Sequence, residues 1–395
     1  MSESLQRKVI FMLVGTAVVL GLFSIFTAAH AATILVTPTN SLANGIASAA
    51  TGDTVLVQAS TRNESIVLNK AITVKADGLV TLRPGNYRGI DIKCSNCTVD
   101  GFTLENFSQA AATNSGTPRT NVKLLNLNFL NAGAGIWVEG TGWTVERVTL
   151  HFRARDGEDY LNAFGSGHTI RRCYFYGLQI PGDLGSGPDY KHSDAIQSWT
   201  SNGKYLRDTM IEECIFVDFK NGCVWLNNET GTASGHRNIV IRNNVFWGNP
   251  LPNEPGTNLI GIPSWGTNVS GPNAGAVIIK NNIYHYLANG VSLRNTRGLV
   301  SGNIIEKTGT AYASEGTAVF NRGILGNVLW DNDWDGGVSG APDKLVNPQF
   351  QNAAAVGAEV VGPDGVPWTA DDAWLLTNAT LAAYGPQLTT FRRKP

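Results

Sequence analysis

A repeating unit of two short apolar runs separated by an Asn/Gly-rich turn constrains the fold of this 395-residue chain more than any other feature. From about residue 88 the unit recurs with a length of roughly 22 to 38 residues. The segments RNNV, KNNI, SGNI and LGNV place an asparagine at the same point of four successive units: Asn244, Asn282, Asn303 and Asn327. Repeats of this size built from strands and turns stack into a solenoid. The asparagine column therefore predicts a ladder of amide hydrogen bonds between coils.

The five cysteines are too few, and odd in number, for a disulfide scaffold of this length. Cys173 and Cys214, in RRCYF and EECIF, occupy the asparagine column two units earlier. We expect small buried side chains there rather than catalytic thiols, and a disulfide between them is the alternative. Cys94 and Cys97 form an isolated CxxC, which indicates either a local disulfide or two turn cysteines.

The IxxNxF…GIxL coils, the asparagine column and a capping segment at 33–82 resemble the pectate-lyase-like superfamily over roughly residues 33 to 340. The resemblance implies an all-β fold, a single-stranded right-handed parallel β-helix (solenoid) with N-terminal and C-terminal caps. The predicted divisions are 1–31 for a signal peptide, 32–87 for the N-terminal cap and first coils, 88–338 for the β-helix and 339–395 for the C-terminal cap or tail. Because the superfamily contains lyases, hydrolases, epimerases, phage tailspikes and adhesins, the resemblance predicts fold rather than function.

The N-terminus has the layout of a secretory signal peptide. Arg7 and Lys8 precede an apolar run over residues 9–29, and the small-residue pattern AHA ends at Ala31. Cleavage near Ala31 predicts a secreted protein, extracellular or periplasmic. An uncleaved membrane anchor is the alternative, because the run is nearly long enough to span a bilayer. Charged residues make up 15% of the chain and the net charge is −1, which argues against nucleic acid as a partner.

Alternation of apolar and polar residues predicts which side chains lie outside one strand of each unit. We align the units on five inward residues: Ile136, Phe164, Ile196, Val224 and Val291. Their next neighbours then form an outer row: Trp137, Gly165, Gln197, Trp225 and Ser292. Four further residues meet at the start of that strand: Asn162, Asp194, Gly222 and Asn289. Outward tryptophans beside amides and carboxylates suit a sugar chain, whose C–H faces stack on aromatic rings.

The stretch GPDYKHSDAIQSWTS, residues 187–201, gathers carboxylates, an ammonium and an imidazole in one turn-rich segment. Long insertions at 153–160, 178–193 and 227–237 leave the repeat near the same central units, and functional residues concentrate on such loops. For β-elimination from a uronic acid, the predicted base is Lys191 or His192 and the predicted acid is Tyr160. Arg155 or Arg153 is predicted to stabilise the developing negative charge. Asp194 is predicted as a further catalytic residue. The predicted substrate-binding residues are Gln197, Trp225, Trp137, Asn227 and Arg153.

The aspartates allow two further interpretations. Asp159 and Asp189, with Asp194, have the oxygens to hold Ca²⁺ against a substrate carboxylate. Alternatively, Asp194 with Asp159 or Asp156 forms the carboxylate pair of a glycoside hydrolase. The mixture of cations and carboxylates favours elimination.

The sequence therefore predicts a secreted carbohydrate-active enzyme, a polysaccharide lyase that cleaves an acidic, uronate-containing glycan. The alternatives are a β-helical glycoside hydrolase and a non-catalytic surface or adhesive protein. The sugar, its linkage and the oligomeric state are left open at this stage.

Overall fold

The structure is a computed structural model that describes residues 31–113, 117–151, 159–177, 194–200, 204–219, 222–227, 236–248, 265–285, 287, 289–306, 310–315, 324–325, 327–330, 344–345, 347–351, 360, 377, 381 and 386. These residues form thirty β-strands and one helix, α1 (Leu42–Ser48). The strands are β1 (Thr33–Val36), β2 (Thr54–Arg62), β3 (Ile66–Leu68), β4 (Thr73–Leu82), β5 (Arg88–Ile92), β6 (Thr98–Glu105), β7 (Gln109–Thr113), β8 (Arg119–Thr120), β9 (Lys123–Leu125), β10 (Asn128–Leu130), β11 (Ile136–Thr141), β12 (Thr144–Glu146), β13 (Thr149–His151), β14 (Leu161–Ser166), β15 (Thr169–Arg171), β16 (Tyr174–Tyr176), β17 (Ile196–Trp199), β18 (Leu206–Glu212), β19 (Ile215–Val217), β20 (Gly222–Asn227), β21 (Arg237–Arg242), β22 (Val245–Trp247), β23 (Trp265–Lys280), β24 (Ile283–His285), β25 (Asn289–Ser301), β26 (Ile304–Glu306), β27 (Thr310–Glu315), β28 (Ile324–Leu325), β29 (Val328–Trp330) and β30 (Lys344–Leu345).

Each coil contributes strands to three faces, and successive coils pair in parallel. The first face runs through β9, β12, β15, β18 and β21. The second face runs through β10, β13, β16, β19 and β22. The third face runs through β5, β7, β11, β14, β17 and β20. Equivalent residues of neighbouring coils lie about 4.8 Å apart. The predicted right-handed parallel β-helix is confirmed.

The interior of the helix is a set of apolar columns that follow from this stacking. Its largest member is an aromatic stack of Phe175, Phe216, Phe246 and Tyr284, with successive ring centroids 4.9, 4.9 and 4.7 Å apart. All four side chains are fully buried. Because each ring meets the equivalent ring of the next coil, the stack adds dispersion contacts at every repeat.

The predicted asparagine ladder is confirmed. Asn244, Asn282, Asn303 and Asn327 are fully buried. The backbone N–H and side-chain Nδ2 of Asn244 donate to Oδ1 of Asn282 at 2.9 and 3.0 Å, and the same pair of bonds links Asn282 to Asn303 and Asn303 to Asn327. Every bond of the ladder lies in the dry interior, where an unmade hydrogen bond is costly.

The two cysteines that precede the ladder are free and buried, so the alternative of a disulfide between Cys173 and Cys214 is wrong. Cys214 joins the ladder through its backbone N–H, which donates to Oδ1 of Asn244 at 2.9 Å. Burial and the neighbouring Cys173 raise the pKa of the Cys214 thiol, which suits an inert packing role. Cys94 and Cys97 form a disulfide.

The turn between the first and second faces uses one left-handed residue per coil. These residues have φ between 52° and 56°: Asn126, Arg147, Arg172, Glu213, Asn243 and Asn281. In the four coils from Arg172 onward, the left-handed residue comes directly before Cys173, Cys214, Asn244 and Asn282. The sharp backbone reversal at each of these positions turns the following side chain into the interior.

The two ends of the described chain carry different packing. Leu42 and Ile46 of α1 are buried, and the Ser41 side chain caps the helix by accepting from the Asn44 backbone N–H. Near the other end, Phe350 packs edge-on against Trp247 and His285, with centroids 5.3 Å apart in both cases. The domain boundaries stay predictions, and residues 1–30 lie outside the described chain. Within the part that the structure describes, no helix has the length and apolar character needed to cross a membrane.

Candidate functional site

The outer side of the third face carries a row of aromatic and amide side chains. Strand register places Trp137 beside Asn162, Asn162 beside Gln197, and Gln197 beside Trp225. All four side chains are half-buried, so the row is accessible along its length. The predicted positions of Trp137, Gln197 and Trp225 in one row are confirmed.

One part of the predicted alignment was wrong. Leu161, rather than Phe164, pairs with Ile136 inside the helix, so Asn162 rather than Gly165 occupies the outer row. Phe164 instead pairs with Glu139, on the outer side and two residues beyond the pair of Trp137 and Asn162. The three-residue shift arises because the AFG of LNAFGSG imitates an apolar inward position, whereas Leu161 at the start of β14 is the residue that enters the core.

Glu139, Phe164 and Trp199 lie two residues beyond the outer row, and the rings of Phe164 and Trp199 pack against Trp137. Phe164 lies with its ring centroid 5.0 Å from that of Trp137 and 4.7 Å from that of Trp199. Trp199 approaches Trp137 edge-on at 5.9 Å. Asn227 follows Trp199 in register on the next coil. The three rings come from three coils and form what we call the aromatic cluster: Trp137 and Trp199, which are half-buried, and Phe164, which is 1% exposed.

An ion pair lies against the aromatic cluster. Lys204 Nζ is 3.1 Å from both carboxylate oxygens of Glu139. The same ammonium is 5.6 Å from the ring centroids of Trp137 and Phe164, within cation–π range. Glu139 is 5% exposed and also accepts a 3.1 Å hydrogen bond from Trp137 Nε1, whereas the Lys204 side chain is 28% exposed. The carboxylate is thus a buried support, and Lys204 is the more exposed member of the pair.

Asp194 lies at the edge of the third face but is enclosed. It is fully buried, and a Cβ built on Gly222 would stand 2.7 Å from its Oδ1 and 3.0 Å from a ring carbon of Trp225. Gly222 therefore leaves the space in which the carboxylate and the indole meet. Together with burial, the Asp194 and Asp218 charges raise the pKa of the Cys223 thiol.

Asp159 braces the chain at the same place in the preceding coil. Its Oδ1 accepts from the Asp194 backbone N–H at 3.0 Å, and its Oδ2 accepts from Asn162 Nδ2 at 2.7 Å. It is 8% exposed. The carboxylate thus connects two coils and holds Asn162 in the outer row.

Tyr160 belongs to the apolar core of the same turn. It is 2% exposed and packs edge-to-face on Phe219 at 4.8 Å. Its backbone N–H donates to the Asp194 carbonyl at 2.9 Å, which ties it to the next coil.

Five of the predicted site residues lie outside the described residues: Lys191, His192, Asp189, Arg153 and Arg155. Their roles stay predictions. Among the residues that the structure does describe, no three His, Cys, Asp or Glu side chains form a group that could hold a metal ion. Both oxygens of Asp159 accept hydrogen bonds from protein donors, and Asp194 is fully buried.

Sequence reasoning missed Glu139, Trp199 and Lys204. Two of them carried a local signal, since Glu139 follows Trp137 by two residues and Trp199 follows Gln197 by two, which is the spacing of one strand face. Lys204 carried none, because its side chain reaches Glu139 across 65 residues of sequence.

No protein-family model and no curated protein matches the chain. Its structure is similar to the crystal structure of pectate lyase Pel9A, with a TM-score of 0.50 and 14% sequence identity, over 88% of this chain and 90% of that chain. A mutant form of the PL6-family alginate lyase AlyGC matches with a TM-score of 0.44 and 12% identity, over 90% of this chain and 56% of that chain. The first likeness concerns the fold, and it agrees with the parallel register and the interior ladder. The chain therefore has a right-handed parallel β-helix fold, similar to that of this pectate lyase.

Proposed function

We propose that the protein is a polysaccharide lyase that binds a uronate-containing glycan along the third face and cleaves it by β-elimination. The observation that carries the proposal is the position of the Lys204 ammonium against the aromatic cluster, beside the row of Trp137, Asn162, Gln197 and Trp225. Aromatic rings bind the C–H faces of sugars, and an ammonium binds the carboxylate of a uronic acid. The likeness of the fold to a pectate lyase supports the same class of reaction.

The reaction requires three functions at one sugar. A base removes the proton α to the carboxylate, a cation stabilises the charge that develops on the carboxylate oxygens, and an acid protonates the leaving oxygen as the C–O bond breaks. We assign Lys204 to the second function. Because Glu139 holds the ammonium from the buried side, the positive charge of Lys204 is in place before the substrate arrives.

The base is proposed among Lys191 and His192, with Arg153 and Arg155 as additional cations. Tyr160 is not retained as the acid, because its ring packs in the core. Gln197 and Asn162 are the amides in the outer row that can orient sugar hydroxyls. Calcium stays part of the proposal through Asp159 and Asp189, of which Asp189 lies outside the described residues.

Hydrolysis by paired aspartates is less well supported. Asp194 and Asp159 are both buried, and Asp159 accepts hydrogen bonds from the backbone of Asp194 and from Asn162. A hydrolase instead needs both carboxylates to face the glycosidic bond. The buried, mutually braced pair is typical of a structural junction between coils.

The decisive test follows the ultraviolet absorbance of unsaturated uronate during incubation with pectate, alginate, glycosaminoglycans and microbial uronans, with and without calcium. We expect a rise on at least one acidic glycan, and a much slower rise in Lys204→Ala. New reducing ends without that absorbance would move the function to hydrolysis. Binding of a glycan without either signal would favour a non-catalytic surface protein.

Secretion is part of the same proposal, because a polymeric glycan is met outside the cytoplasm. The sequence supports it through the signal-peptide layout at residues 1–31. N-terminal sequencing of the protein from the culture medium tests it, and a mature chain that begins near Ala32 is the expected result.

A further inference from the structure

We infer that the N-terminal end of the third face holds a separate subsite for an anionic sugar unit, an inference that rests on the proposed function. A surface cavity of about 440 Å³ opens there, lined by Val67, Asn86, Tyr87, Arg88, Asp91 and Lys93. It lies apart from Lys204 and the aromatic cluster.

The cavity is in line with the outer row. Val67 pairs with Asp91, Asp91 with Ala112, and Ala112 with Trp137, so all four share one position of successive coils. Two steps separate Asp91 from Trp137, which corresponds to about 10 Å along the axis, and five steps separate it from Trp225, or about 24 Å. The cavity therefore lies on the same line as the row, on the far side of the buried Ala112.

The charges of the cavity favour an anion. Arg88 Nη1 is 3.0 Å and Lys93 Nζ 2.9 Å from the two oxygens of Asp91, so two cations share one carboxylate. Arg88 Nε also donates to Gln109 Oε1 at 3.0 Å, which fixes the plane of the guanidinium. The cluster keeps a net positive charge, and its two cations are held by neighbours rather than free to swing away.

Two features make the cluster available to a ligand. The side chains of Arg88 and Lys93 are 27% and 42% exposed. Tyr87 beside them is 63% exposed, which is unusual for a large aromatic ring and gives a surface for sugar stacking. A carboxylate or sulfate group on a sugar matches the cations, and the sugar ring matches the tyrosine.

The test compares polymer with short oligosaccharides of the glycan that the wild-type protein binds, by isothermal titration calorimetry at low salt. In the double variant Arg88→Gln/Lys93→Gln we expect the Kd for the polymer to rise about tenfold, as for the loss of one charge-assisted contact, with short oligosaccharides unaffected. KM for the polymer rises in parallel, while kcat stays unchanged because the reacting groups are not touched. Tyr87→Ala, which removes no ion pair, should show the same polymer-selective loss.

The control is Lys123→Gln, which removes an exposed cation from the first face. Equal polymer affinity in the wild type, the double variant and Tyr87→Ala would overturn the subsite while leaving the proposed function intact. Failure of the wild-type protein to bind any acidic glycan would overturn the proposed function, and the subsite with it. Circular dichroism establishes that each variant is folded before its affinity is compared.

Discussion

Lys204 is held from two directions, by the Glu139 carboxylate on the buried side and by the rings of Trp137 and Phe164 at 5.6 Å. A lysine side chain in solution has considerable rotamer freedom, and ordering it at the moment of binding costs free energy. Here the protein scaffold imposes that order in advance. The result is a fixed positive charge among apolar rings, the arrangement that binds a flat anion with a C–H face.

Replacing Lys204 tests this arrangement directly. We expect Lys204→Ala to lower kcat/KM about 10- to 100-fold, the loss of one hydrogen bond to a charged group. Lys204→Arg keeps the charge and should recover part of the activity. Lys123→Ala, an exposed lysine of the first face, is the matched control. Wild-type kinetics in Lys204→Ala would remove this residue from the site.

The asparagine ladder gives a prediction on stability. Asn282→Ala leaves the Asn244 backbone N–H and the Ile241 carbonyl without their partners in the dry interior. We expect the free energy of unfolding to fall by about 3–5 kcal/mol, measured by urea denaturation. Asn126→Gly, at an exposed turn residue with φ of 52°, should change it by less than about 1 kcal/mol. An equal decrease in the free energy of unfolding for the two substitutions would contradict a stabilising role of the ladder.

These residues also mark what the sequence reveals at this scale. The ladder was predictable because each asparagine sits in a local motif that recurs, so one alignment identifies the whole column. Lys204 was not, because its partner Glu139 becomes a neighbour through the stacking of coils. A contact set by the three-dimensional rise of the solenoid has no signature in either local segment.

At the scale of elements, two buried histidines join the ends of third-face strands to the strands that follow. His168 Nδ1 accepts from the Trp143 backbone N–H at 3.2 Å, and its Nε2 donates to the Phe164 carbonyl at 3.0 Å. His236 repeats the arrangement with the Leu206 N–H and the Asn227 carbonyl at 3.1 Å each. Each ring must be neutral to accept one bond and donate the other, so both histidines have a structural role.

Burial lowers the pKa of His168 and of His236 from 6.5 to about 4. Below pH 6.5 the unfolded chain takes up protons that the native chain does not, so stability decreases as the pH falls from 6.5 to 4 and this contribution levels off below 4. The two shifts correspond to about 3 kcal/mol per histidine. Urea midpoints across this range should fall with pH, and the fall should be smaller in His236→Gln. If the urea midpoint fell equally with pH in His236→Gln and in the wild type, the contribution assigned to His236 would be wrong.

Gly165 of β14 lies close against Gly140 of β11. Gly165 has φ of 110°, and a Cβ there would collide with the Gly140 carbonyl oxygen of the coil below. We expect Gly165→Ala to lower the free energy of unfolding by roughly 3–4 kcal/mol, from strain and overpacking together. Gly167→Ala is the control, because Gly167 also has a positive φ of 70° but has 3.7 Å of space. Its cost should be about 1–2 kcal/mol.

The sequence alignment placed Phe164 in the core, which shows the limit of assigning strand faces from apolar alternation. Apolar alternation assigns a face only when the inward residue of a strand is known, and both Leu161 and Phe164 are apolar. Phe164 lies on the outer side, yet it is 1% exposed, as buried as a core residue, because Trp137 and Trp199 pack over it. An outer aromatic cluster therefore has the same hydrophobic signature as the core, and the pattern alone cannot separate them.

At the scale of the whole molecule, the fold followed from the sequence far more completely than the site did. A solenoid repeats one set of short-range rules, so a few clear units such as RNNV and KNNI were enough to predict the rest. The site depends instead on how side chains of different coils pack. The sequence placed Asp194 beside Gly222, but the burial of the Asp194 carboxylate in the space that Gly222 leaves depends on contacts that no single unit contains.

The links of the asparagine ladder join each coil to its immediate neighbours, and the core stack and the outer row of the third face follow the same rule. A duplicated coil that carries its own asparagine would therefore extend all three columns together, by about 4.8 Å. Gene-level duplication of single coils can then lengthen the surface without redesigning it. Under the proposed function, the length of glycan that the third face binds would then scale with the number of repeats.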